Sequence, residues 1–171
     1  MTAPGPDFDE FVIGRSPTLL RTAVLLCGGD RQAGEDLLQQ ALLKVATRWR
    51  VARDNPTAYT RAALVNLAHD RRRRMRRRPA EAPWTASADT GVAAEAEADA
   101  AIARDVVIAA LRELPARQRV AVVLRYWEDL SVDETAHLMA CSTGTVKSNA
   151  RRGLDRLRVL LTRSEAMTDD R

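Results

Sequence analysis

Apolar residues recur along this chain at three- and four-residue steps, the spacing that lines one face of an α-helix. The clearest block runs from Glu35 to Trp49, where Leu37, Leu38, Ala41, Leu42, Val45, Ala46 and Trp49 form a stripe. Phe8 to Leu26 repeats the pattern less regularly. There Ser16-Pro17 has the form of an N-cap and first-turn pair, and Gly28-Gly29 separates this segment from the next helix. A third helix is expected from Asn55-Pro56, because Asn can cap the free amides and Pro tolerates the first turn. It carries Tyr59, Ala62, Ala63, Leu67 and Ala68, then runs into Arg71 to Arg74 and Arg76 to Arg78 before Pro79 stops it. Between it and Trp49 the segment Arg50 to Asn55 is expected to be a loop.

The periodicity lapses from Pro79 to about Ala103. Pro, Ala, Ser, Thr and acids dominate there, and Trp84 is the only large apolar residue before Ile102. This composition predicts a linker, with weak helical character from Gly91 onward. Helical spacing resumes with Val106, Val107, Ala110, Leu111 and Leu114, and Pro115 interrupts it. A helix from Ala116 to about Trp127 follows, with Val120, Val123, Leu124 and Trp127 inward. Ser131 and Glu134 have the spacing of a capping box and start a helix that ends near Ala140. After the turn Cys141 to Gly144, a last helix buries Val146, Ala150, Leu154, Leu157 and Leu161. The expected fold is all-α: two small helical domains, 7–79 and 104–162, joined by a flexible acidic linker, 80–103, with a helix-turn-helix in the second. Each domain lies near the lower size limit for an independent core.

Composition supports this reading. Aromatics are 4% of the 171 residues and Ala, Leu and Arg dominate, which disfavours a sheet protein. With 27 Lys+Arg against 23 Asp+Glu, the +4 excess alone does not demand a polyanionic partner, so the distribution of charge carries the information. Cys27 and Cys141 have no Cys or His neighbours at ligand spacing, which argues against a metal or a disulfide and for free thiols in a reducing compartment. The N-terminal residues lack the basic start and apolar run of a signal peptide, and no apolar stretch reaches membrane-spanning length. A cytoplasmic location without a membrane partner is expected. His69 and His137 are isolated, no Gly-rich phosphate loop follows a strand, and the carboxylates are not gathered around a pocket. No catalytic residue, cofactor or metal is expected, and the chain reads as a non-enzyme.

The candidate chemistry lies on two helices. On the last one Thr145, Ser148 and Arg152 point away from the buried stripe at about 100° per residue, with Asn149 and Arg156 beside them. Hydroxyls, an amide and guanidinium groups are donors that reach phosphates and base edges in a major groove. Ser, Thr and Asn are poorer helix formers than the Glu, Lys or Gln of an idle surface, which favours DNA contact over mere solvation. The arginine run faces polyanions less specifically: a localisation signal, an RNA-binding tail or a solvated helix end has the same composition. Its helix also carries Tyr59, Arg61, Asn66, His69 and Asp70, so polar readers and cations share one rod. A linker of about 25 residues extends to roughly 80 Å, and two turns of duplex span about 70 Å. Two separate elements of one DNA are therefore within reach.

The order EDLLQQALLKVATRW, NPTAYTRAALVNLAHDRRRR, acidic linker, LPARQRVAVVLRYWEDLSVDETAHLMACSTGTVKSNARRGLDRL resembles that of the extracytoplasmic-function RNA polymerase sigma factors, particularly of actinobacterial type. The likeness extends from Phe8 to Leu161. It implies an N-terminal region 2 that opens and reads the −10 element and a C-terminal region 4 that reads the −35 element. The implied partners are the polymerase core, through its β′ clamp and β subunit, promoter DNA, and an anti-sigma factor as regulator. Residue by residue, the resemblance gives Asp36, Gln39, Gln40 and Leu43 to the β′ coiled coil. The loop with Arg53 and Asn55 captures a base flipped from the non-template strand, while Trp49 is read as packing. Arg61, Asn66, Asp70, Arg71 and Arg72 approach the −10 DNA. Arg117 and Arg119 contact DNA backbone or polymerase, and Thr145, Lys147, Ser148, Arg151 and Arg152 serve the −35 groove. Three positions depart from the family pattern: Gln40 replaces a usual Glu, Ala140 a common Gly and Asn149 a common Arg or Gln. The rival reading is a stand-alone helix-turn-helix regulator, which would leave the EDLLQQ helix and the arginine-tailed helix without a task.

Overall fold

The computed structural model describes residues 5–77 and 95–169, with side chains at 5–71, 73 and 104–163. The described residues are helical, without strands. In chain order they form α1 (Pro6–Leu26), α2 (Arg31–Thr47), α3 (Trp49–Ala52), α4 (Pro56–Arg77), α5 (Glu95–Glu113), α6 (Ala116–Val122), a π-helical turn (Val123–Trp127), α7 (Val132–Met139) and α8 (Thr143–Asp169).

Local chemistry explains most boundaries. Asp30 caps α2 by accepting from the Ala33 amide at 2.9 Å, and Asn55 caps α4 by accepting from the Ala58 amide at 3.2 Å. Gly28 and Gly29, with φ of 70° and 85°, turn the chain between α1 and α2 in the left-handed region that L side chains avoid. Ser131 and Glu134 complete the capping box of α7: the Glu134 amide donates to Ser131 Oγ at 3.1 Å, and the Ser131 amide donates to Glu134 Oε2 at 2.7 Å.

Three expectations are corrected. Ser16-Pro17 does not start a helix; Pro17 lies inside a continuous α1. Its ring faces solvent, where the carbonyl left without an amide partner can be hydrated. The expected loop after Trp49 contains the short helix α3. Helix α5 begins at Glu95, inside the span where helical character was expected from Gly91 onward; residues 78–94, which hold most of the expected linker 80–103, lie outside the described residues. Finally, Trp127 is half exposed rather than inward. The helix it belongs to widens into a π turn after Val122, and the i→i+5 ladder rotates later residues off the buried face.

The modules share one core. Leu19, Ala23 and Leu26 of α1, Leu37, Leu38 and Ala41 of α2, and Leu64 and Val65 of α4 join Val120, Val123 and Leu124, Ala136 and Met139 of α7, and Val146 and Ala150 of α8 in a single buried cluster. A smaller cluster, Ala110, Leu111, Leu114, Val122 and Leu157, secures α5 against α6 and α8. Helix α8 approaches α6 closely at Gly153, where a Cβ would stand 2.6 Å from Val122 Cγ2. Trp49 packs with Phe8, ring centroids 5.2 Å apart, and with Phe11 at 5.8 Å, which bears out its reading as a packing residue.

Candidate nucleic-acid interface

On α8 most of the residues assigned to DNA from the sequence are exposed. Ser142 caps the helix, its Oγ accepting from the Thr145 amide at 3.2 Å and lying 2.9 Å from Thr145 Oγ1. This cap orients the first turn, beyond which Lys147, Ser148, Arg151 and Arg152 are exposed while Val146 and Ala150 are buried. The helix therefore offers a hydroxyl and cations on one side and apolar groups to the core on the other. Asn149 behaves differently: its Nδ2 donates to the Thr145 carbonyl at 2.9 Å, so the amide folds onto its own helix. Asp155 pairs with Arg158 at 3.0 Å and lies 3.9 Å from Arg151, which keeps the cationic stripe partly balanced.

A groove of about 510 Å³ separates α8 from the π turn, with Arg125, Tyr126, Lys147, Arg151 and Arg158 in its walls. Arg125 and Tyr126 had no role in the sequence reading. Their signal was faint, since the π turn that brings them to Lys147 and Arg151 has no composition of its own. Arg125 also donates to the Leu130 carbonyl and so fixes the approach to α7.

The helix-turn-helix joint contains a strained residue. Ala140 closes α7 in the left-handed conformation, φ 48° and ψ 52°. The departure from the glycine common in the resembling family thus carries the penalty of a Cβ in that region.

In the first module Gln39, Gln40 and Leu43 are exposed on the outer side of α2 and Asp36 is half-buried beside them, opposite the buried Leu37, Ala41 and Val45. Leu43, a large apolar residue at 66% exposure, is uncovered in the free protein. On α4 and the preceding turn Arg53, Asn55, Asn66, Asp70 and Arg71 are exposed. The side chain of Arg72 lies outside the described residues. A cavity of about 490 Å³ opens between α2 and α4, lined by Lys44, Thr47, Arg48, Tyr59, Ala62, Ala63 and Asn66. Of these Tyr59 and Asn66 were singled out from the sequence, and Lys44 and Arg48 were not. Lys44, Arg48 and Tyr59 reach the same hollow because the last turn of α2 and the first turns of α4 face each other across α3.

Two expected DNA contacts are engaged within the protein. Arg61 Nε is paired with Glu128 Oε2 across the boundary between the modules, and Thr22 Oγ1 donates to the other carboxylate oxygen. Arg61 belongs to the α4 face that also carries Val65 and Ala68, four and seven residues on, and not to the face of Asn66. Arg119 Nη2 donates to the Leu114 carbonyl at 3.1 Å and to the Arg112 carbonyl at 3.4 Å. It thereby satisfies the end of α5, because Pro115 folds the first turn of α6 back onto those carbonyls. Arg117 is exposed.

The thiol of Cys27 is pushed up to about 11 by burial. Among the described residues no group of His, Cys, Asp and Glu could hold a metal ion, and no helix is long and apolar enough to cross a membrane.

A capped helix-turn-helix with an exposed polar and cationic face, carried beside a second helical module, defines a helix-turn-helix DNA-binding protein. Residues 104–157 match the Sigma-70, region 4 family. The chain is 38% identical over 156 residues to an RNA polymerase sigma-E factor of Streptomyces coelicolor, covering 89% of this chain and 84% of that protein. A sigma-E factor of Streptomyces avermitilis is equally identical over 83% of its own length. The sigma factor RpoE of Bartonella quintana, solved in complex with the anti-sigma factor NepR, aligns at 25% identity and a TM-score of 0.67, covering 92% of this chain and 98% of that one. The chain belongs to the extracytoplasmic-function, sigma-E-like RNA polymerase sigma factors. It is accordingly a factor of transcription initiation.

Proposed function

We propose that residues 7–79 act as region 2, residues 104–162 as region 4, and the segment between them as a tether that lets the two regions read separate promoter elements. Asp36, Gln39, Gln40 and Leu43 form the surface for the β′ clamp of core polymerase. The exposed Leu43 at the centre of a polar stripe supports this assignment, since a single apolar anchor within a polar rim suits a protein interface. Asn66, Asp70, Arg71 and Arg72 approach the −10 DNA. The cavity beside Asn66 and the adjoining Arg53 and Asn55 receive an extruded base, with Tyr59 offering a ring and Lys44 and Arg48 offering charge to its phosphate.

On α8, Ser148 and Arg152 read base edges in the −35 major groove, with Thr145 at its mouth and Lys147, Arg151 and Arg117 on phosphates. Arg119 acts by shaping the junction of α5 and α6. The factor works in the cytoplasm, carries no catalysis of its own and is open to control by an anti-sigma protein. The observation that carries this reading is the exposed polar and cationic face of α8 over a buried Val146 and Ala150.

Purified protein mixed with core polymerase tests it. Promoter-specific transcripts from the pair are expected. Tight duplex binding by the protein alone, without transcripts or comigration with core, would favour the stand-alone regulator. Gln40→Ala should weaken core binding at every promoter, and a defect confined to one promoter class contradicts that role.

A further inference from the structure

The 27 basic side chains of this protein are 25 arginines and two lysines, Lys44 and Lys147, and its two tyrosines are Tyr59 and Tyr126. Each of the two hollows described above holds one lysine and one tyrosine. Lys147 and Tyr126 share the groove beside α8 with Arg125, Arg151 and Arg158, and Lys44 and Tyr59 share the hollow between α2 and α4 with Arg48. Both lysines are exposed, and neither side-chain amine has a hydrogen-bond or ion-pair partner among the described residues.

Lysine and arginine differ in what can be done to them. A guanidinium stays charged, whereas a lysine amine in its free-base form attacks activated carbonyls, and the resulting amide carries no charge. An acylating agent that spares arginine therefore finds two side-chain targets here, and both lie where DNA phosphate is assigned above.

The groove at Lys147 also suits an anionic donor. Its volume of about 510 Å³ lies within the roughly 300–1,000 Å³ of small-molecule sites. Asp155 in its wall pairs with Arg158 at 3.0 Å and lies 3.9 Å from Arg151, but four cations against this one carboxylate leave the groove positive. Guanidiniums bind phosphates in a planar fork. The ring of Tyr126, 58% exposed, offers a face on which a base can stack.

We propose that Lys147 is an acyl acceptor, modified by acyl thioesters whose carrier bears phosphates and a base, and that the modification weakens promoter binding. The inference rests on the assignment of Lys147 to a −35 phosphate. The ammonium first releases a proton to water. Nζ then attacks the thioester carbonyl carbon, and the N–C bond forms as the C–S bond breaks. The nitrogen gives up a further proton to the departing thiolate, so the products are a neutral amide and a free thiol. One positive charge is lost, and with it one contact that releases a counterion. Arg151 and Arg152 keep theirs, so promoter binding is turned down and not abolished.

The purified full chain, treated with acetyl coenzyme A before any polymerase is added, tests this. Mass spectrometry of its peptides gives the ratio of acetylation at Lys147 to that at Lys44. The ratio should be severalfold higher with acetyl coenzyme A than with S-acetyl-N-acetylcysteamine, a thioester without phosphates or a base. The intrinsic reactivity of each amine cancels in that comparison. In the Lys44→Arg chain, where Lys147 is the one side-chain amine left, acetylation should lower the promoter affinity of the assembled holoenzyme severalfold. The slope of log K against log salt should fall by about 0.9, the value for one phosphate contact. A chain carrying both Lys44→Arg and Lys147→Arg, compared with itself before and after treatment, should show no change. Equal ratios with the two thioesters, acetylation without loss of promoter affinity, or an equal loss in the double variant overturns the proposal. Lys147→Gln binding the promoter as tightly as wild type would overturn it through the phosphate contact assigned above, on which the labelling ratio does not depend.

Discussion

Asn149 turns its side-chain amide back to the carbonyl of Thr145, 2.9 Å away, while Ser148 and Arg152 on the same helix remain exposed. Neighbours in sequence are thus divided between helix chemistry and groove chemistry. Asn149→Ala should change −35 affinity by less than about 0.5 kcal/mol, the scale of an ordinary surface substitution. Arg152→Ala should cost about 1–3 kcal/mol and relax selectivity at the contacted base pair. Binding titrations on a panel of single-base promoter variants distinguish the two; equal losses would place Asn149 in the groove.

Ala140→Gly should stabilise the protein by about 1 kcal/mol, since the left-handed joint of the helix-turn-helix penalises a Cβ. The greater freedom of glycine in the unfolded chain offsets part of this gain. Urea denaturation measures the net effect, and a variant less stable than wild type would show that the strain is relieved elsewhere.

Acid should loosen α7. Hydrogen bonds from the Ser131 side chain and backbone hold the Glu134 carboxyl below the usual carboxylate range. A depressed folded pKa contributes stability above the unfolded value near about 4.3 and loses it as pH falls through the lower folded one. The protection of the Ser131 and Glu134 amides against hydrogen exchange, taken relative to an unfolded chain at the same pH, should therefore fall below about pH 4.3. In Glu134→Ala it should be low already at neutral pH, and protection that survives in this variant would dismiss the capping box.

Cys27 should resist alkylation at neutral pH, because burial keeps it protonated up to about 11. The sign is opposite to that of Glu134: this stability is present below the unfolded thiol pKa near about 8.5 and fades as pH rises toward 11. Mass spectrometry after brief iodoacetamide treatment at two pH values checks it, and rapid labelling at pH 7 would contradict the raised thiol pKa.

The helices of this protein were legible where periodicity and caps agreed. The Leu37 to Val45 stripe, Asn55 before α4, and the Ser131–Glu134 box all declare themselves within a few residues. Pro17 misled because a solvent-facing proline in a long helix has the same local sequence as a helix start. Trp127 misled because a π turn depends on how α6 meets the core, which no seven-residue window contains. The roles of Arg61 and Arg119 were least accessible: both look like free cations in sequence, and only the docking of distant segments gives them internal partners. The face of α8 was readable because one helix carries the whole of it. The hollow between α2 and α4 was not, since three elements build it.

The apolar cluster common to both halves has a practical consequence for anyone who cuts this chain at its linker. Leu19 and Leu64 on one side, and Val123 and Met139 on the other, would be stripped of their cover and left wet. Either fragment made alone should stick to itself or to chaperones unless a substitute surface is supplied.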